Sequence, residues 1–372
     1  MKKFLSLLPG LLISLSMQAQ TANYNLLIGT YTNTGKSEGI YTYHFNTKNG
    51  QVKLASVAKD FSNPSFLAVS PDKKNVYAVN ESGPESAVTS FAFNASTGKL
   101  DVLNKQGSEG ADPCYVTADK QHVIIANYSG GSLVVYGLKA DGSLDEATQV
   151  IQHTGKSIDP EKRQESAHVH QVIFSPDKKY LISNDLGEDN IYIYNYLPLK
   201  KTQVLTIKSV IKAPAGSGPR HLTFSPDGKF AYLAHEFNGK ITAFAYADGE
   251  LSKIQEVETV AEDFKGRIDA ADIHISPDGK FLYQSNRGDV NAISVFKILP
   301  TGRLESVSKA STLGKGPRNF AIDPSGKYLL AANQKSDEVV IFKRNKTTGA
   351  LTDSGKRIKV GAPVCLVFTS VQ

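Results

Sequence analysis

The sequence predicts an all-β fold, a seven-bladed β-propeller of four-stranded antiparallel blades. One phrase recurs along the chain, and none of its copies has helical spacing. The fullest copy opens Gly218-Pro-Arg-His-Leu-Thr-Phe-Ser-Pro-Asp-Gly-Lys-Phe230. The turn prolines at 176, 226, 277 and 324 stand 50, 51 and 47 residues apart. A repeat of that length built only of strands marks a propeller blade.

Within the fullest copy, His221 to Phe224 reads as a first strand. Ser225 to Lys229 is a turn, with Pro226 and Asp227 setting its first half and Gly228 free to take positive φ. Phe230 to His235 returns, Asn238-Gly239 turns again, and Lys240 to Tyr246 is a third strand. Further copies begin at Pro64, Pro113, His168, Ala271 and Gly316. The chain ends supply the seventh. Gly361 to Phe368 is a first strand with nothing after it, while Tyr24 to Tyr31, Gly39 to Phe45 and Gln51 to Lys59 are later strands with no first. Pairing the two ends completes a blade, closes the ring and removes free sheet edges.

The chain opens with Lys2-Lys3, an apolar run from Phe4 to Leu15, and a cleavage region from Ser16 to Gln20, in which Met17 is larger than the small residue usual before a cut at Ala19. This is the pattern of a secretory signal peptide, too short for a membrane span. It places the propeller at 21–372, in the periplasm or outside the cell. The formal net charge is +6, and +4 without Lys2 and Lys3. The lysines are spread through turns, which describes a solvated surface and not a nucleic-acid stripe. Cys114 and Cys365 are the only cysteines, on first strands with a blade between them, and are expected to be free and buried. Zinc-ligand spacing and a phosphate loop are missing from the sequence.

A residue type that recurs from blade to blade serves the scaffold. Pro at 64, 113, 219, 317 and 363, and Asn at 80, 127, 184, 286 and 333, are of this kind. Departures from the pattern need another reason. They are His168, His170, Arg220, His221, His235, Glu236, Asp272, His274, Arg287, Arg318 and Asn319. The start of a first strand and the end of its antiparallel neighbour lie at one mouth of the ring, so these residues are expected to converge there.

The phrases Gly-Pro-Arg-His-x-x-Phe-x-Pro, His-Glu-x-Asn, Ala-Asp-Ile-His-Ile-Ser-Pro-Asp-Gly and Gly-Pro-Arg-Asn-Phe resemble the seven-bladed lactonase family over essentially the whole mature chain. That family contains propeller-type bacterial 6-phosphogluconolactonases and fungal carboxy-muconate cyclases. The resemblance implies hydrolysis of a sugar-acid lactone, or lactone formation in the cyclase branch, without metal or cofactor. It carries a catalytic set onto His170, Glu236, Arg220 and Arg287, with His168 competing for the histidine role. The other departures then serve substrate binding. The residue types suit the chemistry: an imidazole takes a proton from water, and guanidinium groups meet the developing oxyanion. An export signal sits poorly with a phosphorylated cytoplasmic metabolite and favours a non-phosphorylated lactone. Two other classes stand beside this reading. A non-catalytic binding propeller would place aromatic and apolar residues at the mouth, and a metal-dependent propeller lactonase would place carboxylates with Asn. Nothing in the sequence sets the oligomeric state.

Overall fold

The structure, a computed structural model, describes residues 23–158 and 162–371. The expected signal peptide lies outside the described residues. The described residues form seven four-stranded antiparallel sheets. Blades 1 to 6 span 67–107, 113–152, 169–212, 219–257, 270–311 and 317–359, each running from its innermost strand outward. In blade 7 the innermost strand is Pro363–Ser370, followed by Asn23–Thr30, Gly39–Asn46 and Gln51–Lys59. Leu26 pairs with Phe368 and Ile28 with Leu366, so the two chain ends share one sheet as expected.

The recurring Ser-Pro-Asp turn has a local cause. The Ser225 hydroxyl donates to Asp227 Oδ1 (2.6 Å) and accepts from Phe230 N–H (2.9 Å). Ser175 with Asp177 and Ser276 with Asp278 repeat this geometry. The turn needs a left-handed residue, supplied by Gly228 and Gly279 at φ 70° and by Lys178 at φ 55°. Between blades, side chains from facing sheets interlock. Leu26, Phe45, Tyr328 and Leu330 join blade 7 to blade 6, and Leu27, Leu67, Phe91 and Cys365 join it to blade 1. Both cysteines are free and buried.

Two backbone features position the channel mouth. Seven N–H groups, of Tyr31, Glu81, Tyr128, Leu186, Glu236, Arg287 and Gln334, donate to the carbonyls of Ala362, Asn63, Asp112, His168, Gly218, Asp269 and Gly316. This bond joins the end of each second strand to the start of the innermost strand, in blades 2 to 7 to the residue two before a bulge. The register shifts at these points: Pro113 pairs with Asn127 but Tyr115 with Ala126, and Pro219 pairs with His235 but His221 with Ala234. A bulged residue is left unpaired and its side chain is re-aimed. The residues so placed are Cys114, His170, Arg220, Ala271, Arg318 and Val364; Ser65 stands at the same spacing after Asn63, ahead of the short innermost strand of blade 1, Leu67–Val69.

The recurrent asparagines act as scaffold. Asn127 and Asn333 donate from Nδ2 to Ser108 O and Thr312 O, in the loops entering their blades (both 2.9 Å). One assignment needs correcting. Asn184 is not in this slot; the residue that pairs at the strand end is Asp185, and in blade 4 it is His235.

Candidate active site

Five of the bulge side chains, those of Cys114, His170, Arg220, Arg318 and Val364, surround a small inner chamber of about 10 Å³ together with Ser65, Phe66, Glu81, His221 and Asn319. That is room for about one water molecule. Above it lies an outer chamber of about 220 Å³, bordered by Glu81, Asp112, Cys114, Tyr128, Arg163, His170, Glu236 and Arg318. Glu81, Cys114, His170 and Arg318 line both.

Glu236 is the electrostatic centre of this mouth. Its Oε2 accepts from Arg220 Nε (2.8 Å), and its Oε1 meets Arg163 Nη1 (2.7 Å) and Arg287 Nη2 (3.1 Å). Burial pushes the Glu236 carboxyl up, but Arg287, Arg220 and Arg163 outweigh it and hold it well below the carboxylate range. Arg220 also donates through Nη1 to Ala271 O, and burial with the neighbouring Arg287 lowers it to about 10, still charged at neutral pH. Arg287 is held further by Asp269 Oδ1 (2.7 Å) and borders neither chamber.

Arg318 is different. Among the described residues its guanidinium has no hydrogen-bond acceptor or ion-pair partner; it lies over the Tyr31 ring, 5.6 Å from the centroid. Opposite it, Glu81 accepts from Tyr31 Oη (2.9 Å to Oε2) and from Ser65 Oγ. Burial raises the Glu81 carboxyl above its ordinary range, against the pull of Arg318.

His170 faces both chambers, with Nδ1 3.8 Å from Cys114 Sγ. Burial and then Arg220 push it well below the ordinary histidine range, so it is neutral. His168 stacks on Tyr128 at 4.5 Å and places Nδ1 2.9 Å from the Tyr128 carbonyl, behind the chamber wall. His235 also lies away from the chambers. It occupies the strand-end slot that Asn fills elsewhere, between Ser217 Oγ (3.0 Å) and Thr242 Oγ1 (2.8 Å). His221 and Asn319 lie one residue deeper than the bulge, and Asp272 lies behind them. His274 lies two residues deeper still and borders a separate cavity of about 350 Å³ toward the other mouth, with Thr117, Ala321 and Val367. The expectation of one convergent region was too coarse, because each strand residue advances about 3.3 Å along the channel.

Sequence reasoning missed Tyr31, Glu81, Tyr128, Ser65, Cys114 and Arg163. For the first three a signal existed: each directly follows a strand-end residue, as Glu236 follows His235. Arg163 had none, since it comes from the loop between blades 2 and 3. There it also donates to Tyr128 Oη (2.9 Å) and covers the Phe237 ring. The base of that loop is tied by His153, Asp185 and Glu188, a buried group able to face one cation. Its acceptors are already taken. Asp185 receives His168 N–H (2.8 Å), Glu188 N–H (3.1 Å) and His153 Nδ1 (2.7 Å), and Glu188 receives Gly155 N–H (2.5 Å), Asn190 Nδ2 (2.9 Å) and the Tyr192 hydroxyl. It is a hydrogen-bonded knot.

A closed ring of seven blades with an enclosed polar chamber at one mouth defines a propeller of the enzymatic kind. Residues 25–368 match the family described as "Lactonase, 7-bladed beta-propeller", and the chain belongs to that family. It is 35% identical to the 6-phosphogluconolactonase of Bacillus subtilis (strain 168), covering 92% of this chain and 97% of the relative. Among solved structures it is similar to a putative 6-phosphogluconolactonase from Bacteroides fragilis NCTC 9343, with TM-score 0.89, 45% identity and coverage of 94% and 98%. The periplasmic gluconolactonase of Pseudomonas aeruginosa is similar too, with TM-score 0.90, 37% identity and coverage of 94% and 100%.

Proposed function

We propose that this chain opens an unphosphorylated sugar-acid lactone by water attack at the bulged mouth of the channel. The observation that carries the reading is the pair of chambers sharing one wall. The inner chamber has room for one water and the outer one for a small ring, and His170, Glu81 and Arg318 stand between them. A neutral imidazole at the inner chamber takes the water proton, and Arg318, without a hydrogen-bond or ion-pair partner among the described residues, meets the carbonyl oxygen as it becomes negative. Arg220, Arg163 and Arg287 hold Glu236 and shape the wall. Motif carry-over makes His170 the base and adds Arg220, Glu236 and Arg287 to the catalytic set.

Charge supports the unphosphorylated substrate. Of the arginines at the mouth, Arg163, Arg220 and Arg287 are paired with Glu236, which leaves Arg318 as a single cation for a dianionic phosphate. The basic and apolar start of the chain, with a periplasmic gluconolactonase among the similar structures, supports export. An enclosed water site supports hydrolysis over lactone formation, and the convergence of His, Arg and Glu supports an enzyme over a binding module.

The test is a pH-drop assay over a panel of aldonolactones, phosphorylated and not, with and without chelator. Opening of unphosphorylated lactones at undiminished rate in chelator is expected. A protein active only on phosphorylated lactones overturns the substrate reading, and one inert to the whole panel overturns the lactonase reading.

A further inference from the structure

The two imidazoles bordering the inner chamber are held in different ways. Among the described residues the polar side chain at His170 Nδ1 is Cys114 Sγ at 3.8 Å, a weak partner. His221 Nδ1 lies 2.8 Å from Asp272 Oδ1. That carboxylate is fixed from both sides. Its Oδ1 also accepts from Ile273 N–H (3.0 Å), and its Oδ2 accepts from His274 Nε2 (2.8 Å), Asn319 Nδ2 (2.5 Å) and Phe320 N–H (3.3 Å). Burial opposes its charge, but His274 and His221 outweigh burial and keep Asp272 ionised. An ionised carboxylate only accepts, so His221 carries its proton on Nδ1. Its Nε2 then holds a lone pair, which agrees with Arg220 Nη1, a donor only, at 3.3 Å.

We propose that His221 is the general base of the reaction and that Asp272 is the residue that positions it. A base oriented by a third group is the recurrent arrangement in acyl transfer. This rests on the lactonase reading above and departs from the motif-based choice of His170. The step balances without a co-reactant. The water displaces the long Arg220 Nη1 contact at His221 Nε2, its oxygen bonds to the carbonyl carbon while its proton passes to that nitrogen, and the carbonyl electron pair moves onto the oxygen facing Arg318. Collapse breaks the ring C–O bond, and His221 returns the proton to the ring alkoxide, giving the hydroxy acid. The groups facing His221 are Arg220 beside it, the His170 ring at 5.2 Å and the Tyr115 ring at 5.3 Å, Cys114, Arg318 and Glu81 on the chamber wall, and Asp272 with His274 behind. Burial and Arg220 push His221 down to about 4, so its lone pair is available throughout the neutral range. His170, bordering both chambers, contacts the lactone.

The test measures kcat, KM and their pH dependence for the parent, His221→Gln, Asp272→Asn and His170→Gln, each first shown folded by thermal melting. His221→Gln is expected to lower kcat by 10²- to 10⁴-fold with KM within about threefold. Asp272→Asn is expected to lower kcat by roughly 10²-fold and to move the acid limb of the kcat profile to lower pH, since Asp272 raises the His221 pKa. A merely structural Asp272 would leave that limb in place. His170→Gln is expected to act mainly on KM. Imidazole nitrogen NMR on the parent supplies a measurement independent of any variant: His221 should be protonated at Nδ1 and bare at Nε2 at pH 7. A folded His221→Gln enzyme with parental kcat, a kcat loss confined to His170→Gln, or a His221 proton on Nε2 overturns the assignment. An inert parent overturns the lactonase reading beneath it, which the parent assay shows before any variant is made.

Discussion

His235 and the asparagines fill one backbone slot with two side chains, and the difference should appear in acid. Asn80 Oδ1 accepts from Thr89 Oγ1, the position that Thr242 takes beside His235. Asn carries no titratable proton, whereas burial lowers His235 from 6.5 to about 4. Between those pH values the unfolded chain binds a proton that the folded chain does not. Stability from this group is therefore complete above about pH 6.5 and is lost as pH falls toward 4, by roughly 3 kcal/mol. His235→Asn should keep lactonase activity and shrink the fall in melting temperature between pH 7 and 5. A folded variant that has lost activity would return His235 to the site. The arginines separate in the same way. Arg318→Ala should lower kcat by about 10²-fold with a nearly normal melt, because it removes an oxyanion donor that, among the described residues, makes no hydrogen bond or ion pair and only stacks on Tyr31. Arg287→Ala leaves Glu236 and Asp269 short of a partner, so it should cost roughly 3 kcal/mol of stability and change kcat less. Melting curves beside steady-state kinetics for the pair decide this, and equal kcat losses would refute the distinction.

Strands and turns were legible because each is written in local chemistry. Ser-Pro-Asp makes its own turn, and alternation with Val, Ile, Tyr and Phe makes the strands around it. The bulge is not written that way. It arises where an innermost strand leaves register with its neighbour, so Arg220 and His221, adjacent in sequence, enter different layers of the channel. Reading both as one slot put His274 at the wrong end and hid Cys114 and Ser65 among scaffold residues. The stretch between blades 2 and 3 was illegible for another reason: it belongs to no repeat, and its base at His153 and Gly155 is held by blade 3 through Asp185 and Glu188. This suggests a change far from any reacting atom. Glu188→Gln removes the charge that holds Gly155 N–H, Asn190 and Tyr192, at a cost of roughly 2 kcal/mol local to the loop base. Arg163, in the same loop, then loses its fixed approach to Glu236. KM should rise several-fold with kcat within about threefold, and amides of 153–158 and 162–168 should exchange faster while the blade 3 strands stay protected. Unchanged exchange in that loop would show that the knot does not anchor it.

At the scale of the whole ring, stability depends on every blade having two neighbours, and blade 7 depends on both chain ends. The C-terminal strand does three things at once. It pairs with Asn23–Thr30 from Tyr24 to Thr30. It places Leu366 in the apolar interface with blade 6 and Cys365 in the interface with blade 1. It also presents Leu366 N–H to Asn319 Oδ1 (2.7 Å), fixing the amide that supports Asp272, while Val364 borders the inner chamber. Removing this strand exposes an edge on Asn23–Thr30, opens two interfaces and loosens the floor of the site. Deleting residues 364–372 should therefore lower stability throughout the domain and abolish activity, because neither blade 6 nor blade 1 retains a complete partner. Leu366→Ala is the graded control: it leaves the pairing intact and creates a cavity in one interface, for an expected 2–5 kcal/mol. The pair separates closure from packing. If closure matters, the deletion should unfold the ring or melt it far below Leu366→Ala, with exchange protection lost in every blade. A truncated protein that melts with the point variant, or loses protection only in blade 7, would mean that the ring holds without its last strand.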